Sequence, residues 1–208
     1  MPKEKSALRR PPKQERSRER VEEILAAAKR LIGEKGIDAV KMREIAAQTG
    51  GPISSIYQYF PNKSAIIATL HKQWSAEIMD VLRGVLADVE TLDQLFAATA
   101  DLLDFYHERI QSDPAILDLI NATQADKALK NIDIADTREQ TALFCETARP
   151  LIPASRFVAF SRIAFMMFQL ANGAVRLALC APAEEAEAIL CDYKLMIRVQ
   201  LNEFAREA

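Results

Sequence analysis

The sequence predicts an all-α fold of about nine helices, and three observations carry that expectation. Glycine and proline are sparse, 6 and 9 in 208 residues, and Ala, Leu, Ile, Glu and Arg dominate, a composition that favours helices. Apolar residues recur three and four positions apart along most of the chain, the period of an amphipathic helix. No alternating run of β-branched residues is long enough to argue for a sheet. With 50% hydrophobic residues, the chain can bury one large core or two small ones.

The elements follow in order. Residues 1–16 read as a basic, disordered arm carrying Lys3, Lys5, Arg9, Arg10, Lys13 and Arg16 around a Pro-Pro break. A first helix runs from about Ser17, its candidate cap, to Lys35, and Gly36 ends it. Its stripe is Val21, Ile24, Leu25, Ala28, Leu31 and Ile32. A short helix covers about Lys41 to Thr49, with Ile45 and Ala46 facing in. Gly50 suits a left-handed turn, Gly51 an N-cap and Pro52 the first position of a second short helix to about Tyr59. Asn62 can cap a long helix from Lys63 to about Asp88, with an inner stripe of Ile67, Leu70, Trp74, Ile78, Val81 and Val85. Five more helices are expected over roughly Thr91–Gln111, Pro114–Thr123, Asp133–Arg149, Ala154–Cys180 and Ala183–Arg206, with prolines at the breaks. The domain plan is an arm (1–16), a three-helix unit (17–62) and a larger helical domain (63–208).

The net charge of −2 conceals two opposed parts. Met1 to Trp74 holds 15 Lys+Arg against 8 Asp+Glu, whereas Ser75 to Ala208 holds 12 against 21. A basic third on an acidic remainder suggests one module that meets a polyanion and one that does not. Three cysteines, Cys145, Cys180 and Cys191, lack CxxC spacing. They read as small buried hydrophobes in a reducing cytoplasm, with a redox-sensing thiol as the other reading. The apolar run Ile163 to Ala181 contains Gln169, Asn172 and Arg176, and reads as a buried helix, with no membrane partner.

Two short helices joined by a Gly-containing turn and braced by a first helix describe a helix-turn-helix. In that geometry the second short helix enters the DNA major groove. Ile56 and Phe60, four apart, can pin it inward. Ile53, Ser54, Ser55, Tyr57, Gln58 and Tyr59 are then candidates for its outer side. Hydroxyls there can bond phosphates, Gln a base edge, and Ile a thymine methyl. Either tyrosine can instead fill the crevice between the first and fourth helices, Tyr59 more readily. Lys63 opens the next helix, so its ammonium and the free N–H groups there both favour a phosphate.

The stretch "KMREIAAQTGGPISSIYQYFPNKSAI" resembles the signature of the tetracycline-repressor (TetR) family, with Ile45, Ala46, Gly50, Tyr57, Tyr59, Phe60 and Lys63 in register. The likeness runs from about Val21 to Leu70. Lys41 stands where the family usually has a capping Thr, Gly51-Pro52 replaces a common Val-Ser, and Ile53 occupies a position that is often polar. The resemblance implies a homodimer, most often a repressor, that binds a palindromic operator in double-stranded DNA and lets go when a small-molecule effector enters the C-terminal domain. It makes Tyr57, Lys63 and Lys41 phosphate contacts and turns Ser54, Ser55, Gln58 and Tyr59 toward the groove. A constitutive DNA-binding protein that acts structurally or recruits partners remains the alternative.

In the remaining two thirds, Phe157, Phe160, Ala174, Leu177, Ile189, Tyr193, Met196, Ile197 and Phe204 are the expected dimer surface. The helix Ala154–Cys180 is apolar nearly all round and needs cover on several sides; an intrachain core is the other reading. A pocket is expected among Trp74, Phe96, Phe105, Tyr106, Phe144, Met167, Gln169 and Asn172, with Arg176 as an anion handle. The same residues also suit a plain core, and the partners of the two amides can lie across the dimer instead. No nucleophile elbow, HExxH or phosphate-binding Gly loop points to an enzyme. His71 and His107 are distant, and Asp104 with His107 lacks the rest of a metal set, so no cofactor or metal is expected.

Overall fold

The computed structural model describes residues 15–125 and 127–206, with the side chains of 123–128 left aside. The arm's Lys3, Lys5, Arg9, Arg10 and Lys13 lie outside the described residues. Among those described, the elements are helices and one 3-10 turn. They are α1 (Glu15–Lys35), α2 (Met42–Gln48), α3 (Ile53–Tyr57), α4 (Lys63–Leu86), α5 (Leu92–Ser112), α6 (Pro114–Ala125), α7 (Lys127–Ala148), the 3-10 turn Arg149–Leu151, α8 (Phe157–Cys180) and α9 (Ala183–Ala205).

The described residues form two compact units: 15–75 with 113–130, and 76–112 with 131–206. The boundary drawn from sequence falls after residue 62; by packing, the first unit also takes in the start of α4 and helix α6.

In the first unit, α1 buries Val21, Ile24, Leu25, Ala28, Leu31 and Ile32, the stripe expected from periodicity. Ser17 lies inside α1 rather than capping it. The Asn62 carboxamide oxygen accepts from the Ala65 N–H at 2.9 Å, so α4 has the expected cap. α4 buries Ile66, Ile67, Leu70, Trp74 and Ile78, then Leu82 and Leu86. Val81 and Val85, expected in that stripe, are only half-buried, because 3.6 residues per turn carries the inward face one position on. His71 is buried in α4. α6 lies on α1: Lys29 Nζ meets Asp113 at 2.6 Å, and Gly33 leaves room for Ala115.

The second unit is organised around a hairpin of α8 and α9. Its core gathers Leu95, Phe144, Ala148, Phe160, Leu201 and Phe204. Phe160 stacks on Phe144 at 6.0 Å and meets Phe204 edge-on at 5.8 Å, contacts that add to burial. Arg156 ties the hairpin's open end by donating to the carbonyls of Glu203 and Arg206. Lys194 grips both oxygens of Asp104 at 2.6 Å, joining α9 to α5.

This packing corrects the expected dimer surface. Phe160, Tyr193 and Phe204 are buried within the protomer, and Phe157, Ala174, Ile189 and Ile197 are half-buried. Only Leu177 and Met196 of that set stand exposed, at 60% and 53%. The open apolar face is made instead by Val158, Met166, Leu170 and Leu177 on α8 with Leu195, Met196 and Val199 on α9. Periodicity alone cannot rank the faces of a helix that is apolar all round, and Phe160 lies on its inner face. Within the run Ile163–Ala181, read as a buried helix, Met166, Leu170 and Leu177 stand 49%, 50% and 60% exposed. By length and composition α8 would also cross a membrane, yet it carries exposed Arg162 and Arg176 and packs along α9.

Candidate nucleic-acid interface

The turn between α2 and α3 is built by backbone bonds that end α2. Gly50 adopts φ +64°, a conformation that strains residues with a Cβ. The Gly51 N–H donates to the Ala46 carbonyl at 3.2 Å and the Gly50 N–H to Ala47 at 3.3 Å, the paired bonds of a Schellman motif. Pro52, not Gly51, is the N-cap of α3, with Ile53 as its first helical residue. The helix stops at Tyr57, two residues before the expected end.

At the start of α2 the N-cap is Lys41. An ammonium has no lone pair to accept an N–H, so the forward half of a capping box is missing. The reverse half is present: Glu44 accepts from the Lys41 N–H at 2.9 Å and from Lys35 Nζ at 2.7 Å. The Lys35 ammonium first, then the Lys41 N–H, hold the Glu44 carboxyl below its usual range. Glu44 therefore replaces the neutral cap and leaves the Lys41 side chain exposed.

α3 has a dry side and a wet side. Ile56 and Phe60 are 0% exposed. Ile53 and Tyr57 stand 41% and 39% exposed, and Ser54 and Gln58 are exposed beside them. Tyr59 is half-buried, in line with the crevice reading. Ser55 departs from its outward placement: it is half-buried, and its hydroxyl accepts from Arg20 Nη2 at 3.2 Å. Lys63 also has a second task. Its ammonium donates to the carbonyls of Ile37 at 2.8 Å and Asp38 at 3.3 Å, tying α4 to the α1–α2 turn; one of its three N–H bonds is left for a phosphate.

Sequence reasoning missed Arg20 and Arg43. Arg20 sits half-buried between α1 and the turn and donates to the Thr49 carbonyl at 2.8 Å as well as to Ser55. Arg43, exposed on the first turn of α2, adds a cation beside Lys41. The positive sum over residues 1–74 was the available signal for Arg43; for Arg20 there was none in local spacing.

Of the expected effector residues, Trp74 belongs to the first unit and the others to the second. Trp74 is buried in the first unit. In the second, Phe144 belongs to the core, and Arg198 stacks over Phe96. Arg176 points to solvent, which removes it as a buried anion handle. The two amides of α8 find partners inside the chain. Gln169 donates to the Thr137 hydroxyl at 2.7 Å, and the Tyr106 hydroxyl donates to the Asn172 carbonyl oxygen. Phe105 and Met167 are half-buried nearby in sequence, and Tyr193 donates to the Met167 carbonyl. Burial pushes the Tyr193 phenol well above its ordinary range. Cys145 is buried as expected, but Cys180 and Cys191 are exposed. Among the described residues no cluster of His, Cys, Asp or Glu could hold a metal ion.

Comparison with known proteins agrees with this geometry. Residues 24–70 match the family described as "Bacterial regulatory proteins, tetR family". Residues 93–205 match "Tetracyclin repressor-like, C-terminal domain". The chain is 32% identical over 65 residues to the uncharacterised HTH-type transcriptional regulator YvdT of Bacillus subtilis (strain 168), a match spanning 31% of this chain and 34% of that protein. Its fold is similar to a TetR-family transcriptional regulator from Streptomyces coelicolor (21% identity, TM-score 0.68, covering 91% of this chain and 99% of the other). It is also similar to SmeT, the repressor of the Stenotrophomonas maltophilia multidrug efflux pump SmeDEF (18% identity, TM-score 0.67, covering 90% and 91%). With the C-terminal match alone spanning more than half of the sequence and the helix-turn-helix matched separately, the chain belongs to the TetR family of transcriptional regulators.

Proposed function

We propose that this regulator is a cytoplasmic homodimeric repressor that holds a roughly palindromic DNA operator through α3 and releases it when a small molecule enters the second unit. The observation that carries the reading is the two-sided α3. Ile56 and Phe60 are sealed in while Ile53, Ser54, Tyr57 and Gln58 face solvent. An exposed Ile and Tyr beside two polar side chains on so short a helix suit a groove lined with methyls, base edges and phosphates. Lys41, Arg43 and the remaining Lys63 donor supply cations for the flanking backbone. The open apolar face of α8 and α9 supports the dimer, and twofold symmetry in the protein implies it in the operator.

The test starts from a duplex selected from a random pool by the wild-type chain. Lys41→Ala with Tyr57→Phe is expected to weaken binding to the selected duplex and to a scrambled one alike. It should also reduce the slope of log K against log salt by about one, the share of the Lys41 charge. Unchanged affinity and slope would remove both residues from the interface. An effector should raise the melting temperature and lower operator affinity together.

A further inference from the structure

A five-residue helix cannot hold its own place, and α3 has no side-chain cap at Pro52. Its apolar anchors, Ile56 and Phe60, both lie toward its C-terminal end. At its N-terminal end Ile53 is exposed, so the first residue of the helix has no buried apolar anchor of its own. The polar contact there comes from α1, 35 residues earlier: Arg20 Nη2 to Ser55 Oγ at 3.2 Å. The same guanidinium donates through Nη1 to the Thr49 carbonyl at 2.8 Å and to Glu23 at 2.7 Å, and through Nη2 to the Thr49 hydroxyl at 3.2 Å. Its planar fork thus spans the end of α2 and the start of α3. Gly51 makes room for it, because a Cβ there would lie 2.6 Å from Arg20 Nη2 and 3.2 Å from Ser55 Oγ.

We propose that Arg20 is a positioning residue for DNA readout: its guanidinium, seated in the gap left by Gly51, holds Ser55 inward and thereby sets the rotation of α3 that aims Ser54 and Gln58 at the bases. The inference rests on the DNA-binding reading of α3. Each residue turns a helix by about 100°, so Ser55 and Ile56 held inward leave Ser54, Tyr57 and Gln58 outward. Arg20 itself touches no phosphate in this scheme. Its loss therefore removes discrimination between sequences and leaves the general electrostatic attraction intact.

The experiment compares the selected duplex with a scrambled one over a salt series. Arg20→Ala and Arg20→Lys should each lose about tenfold on the selected duplex, the size of one or two charge-assisted bonds. On the scrambled duplex the loss should stay under about twofold, with an unchanged salt slope. Lysine keeps the charge but cannot fork. Gly51→Ala should give the same phenotype by expelling the guanidinium, and Arg20→Ala/Gly51→Ala should be no worse than Arg20→Ala alone. Should Arg20→Ala fail to fold in a parallel melt, Arg20→Lys and Gly51→Ala carry the same comparison. Additive losses, equal losses on both duplexes, or a slope reduced by about one would overturn the proposal. A wild-type chain that selects no duplex would sink the DNA-binding reading itself, whereas selective wild-type binding indifferent to Arg20 would sink only this inference.

Discussion

Leu177→Glu puts a carboxylate on the open apolar face of α8 and separates association from folding. Leu177 is 60% exposed in the protomer, so the new side chain is solvated there, and a surface change of this kind shifts stability by only about 0.5 kcal/mol. In the proposed dimer the position is covered. The substitution then forfeits about 1–2 kcal/mol of apolar burial and strands a charge, at about 3 kcal/mol or more. Twofold symmetry applies the change twice. Association is weakened by about 8 kcal/mol, some six powers of ten in Kd. Sedimentation velocity at micromolar concentration should give a dimer for the wild type and a monomer for Leu177→Glu, with the same helical circular dichroism and nearly the same melt. A variant that still sediments as a dimer would refute the assignment of this face, and one that loses its helix signal would refute the claim that Leu177 is dispensable to the protomer.

Two further outcomes follow from the site. Ile56→Ala empties a fully buried position beneath α3; the first unit should lose about 2–5 kcal/mol in denaturant unfolding, and a loss near zero would mean that α3 is not seated by this side chain. Glu44 bears on acid stability. Its carboxyl titrates below the ordinary value of 4.5 in the folded chain, so its contribution is complete above that value and disappears as pH falls through the lower, folded pKa. Glu44→Gln should therefore bring the stability curves of variant and wild type together at the acid end and separate them toward neutrality, a pattern that urea midpoints from pH 3 to 7 will display or exclude.

Local chemistry was legible from the letters alone. Ile56 and Phe60 stand one helical turn apart, and Gly50 occupies the one place where α2 must reverse; both read directly from spacing and residue type. Asn62 as a cap was equally local. What could not be read depends on which surfaces meet. Arg20 and Ser55 are separated by 35 positions, and no periodicity links them. α8 offers apolar residues on every side, so the sequence named Phe160, Tyr193 and Phe204 as outward when they close the inner core. Gln169 and Asn172 announced that partners were needed, but not that Thr137 and Tyr106 would supply them. Lys63 was read through its charge, whereas the fold also employs it as a donor to two main-chain carbonyls.

The amide pairings of α8 set terms for any guest in the second unit. Gln169 with Thr137 and Asn172 with Tyr106 stitch α8 to α7 and α5. A molecule that parts these helices strips each amide of its mate. A bare hydrocarbon would strand both groups and forfeit about 1–3 kcal/mol for each, while a compound bearing hydroxyl, carbonyl or amide functions at matching positions would take over the vacated bonds. If an effector enters there as proposed, these two stitches favour oxygen- and nitrogen-rich visitors over greasy ones of equal size.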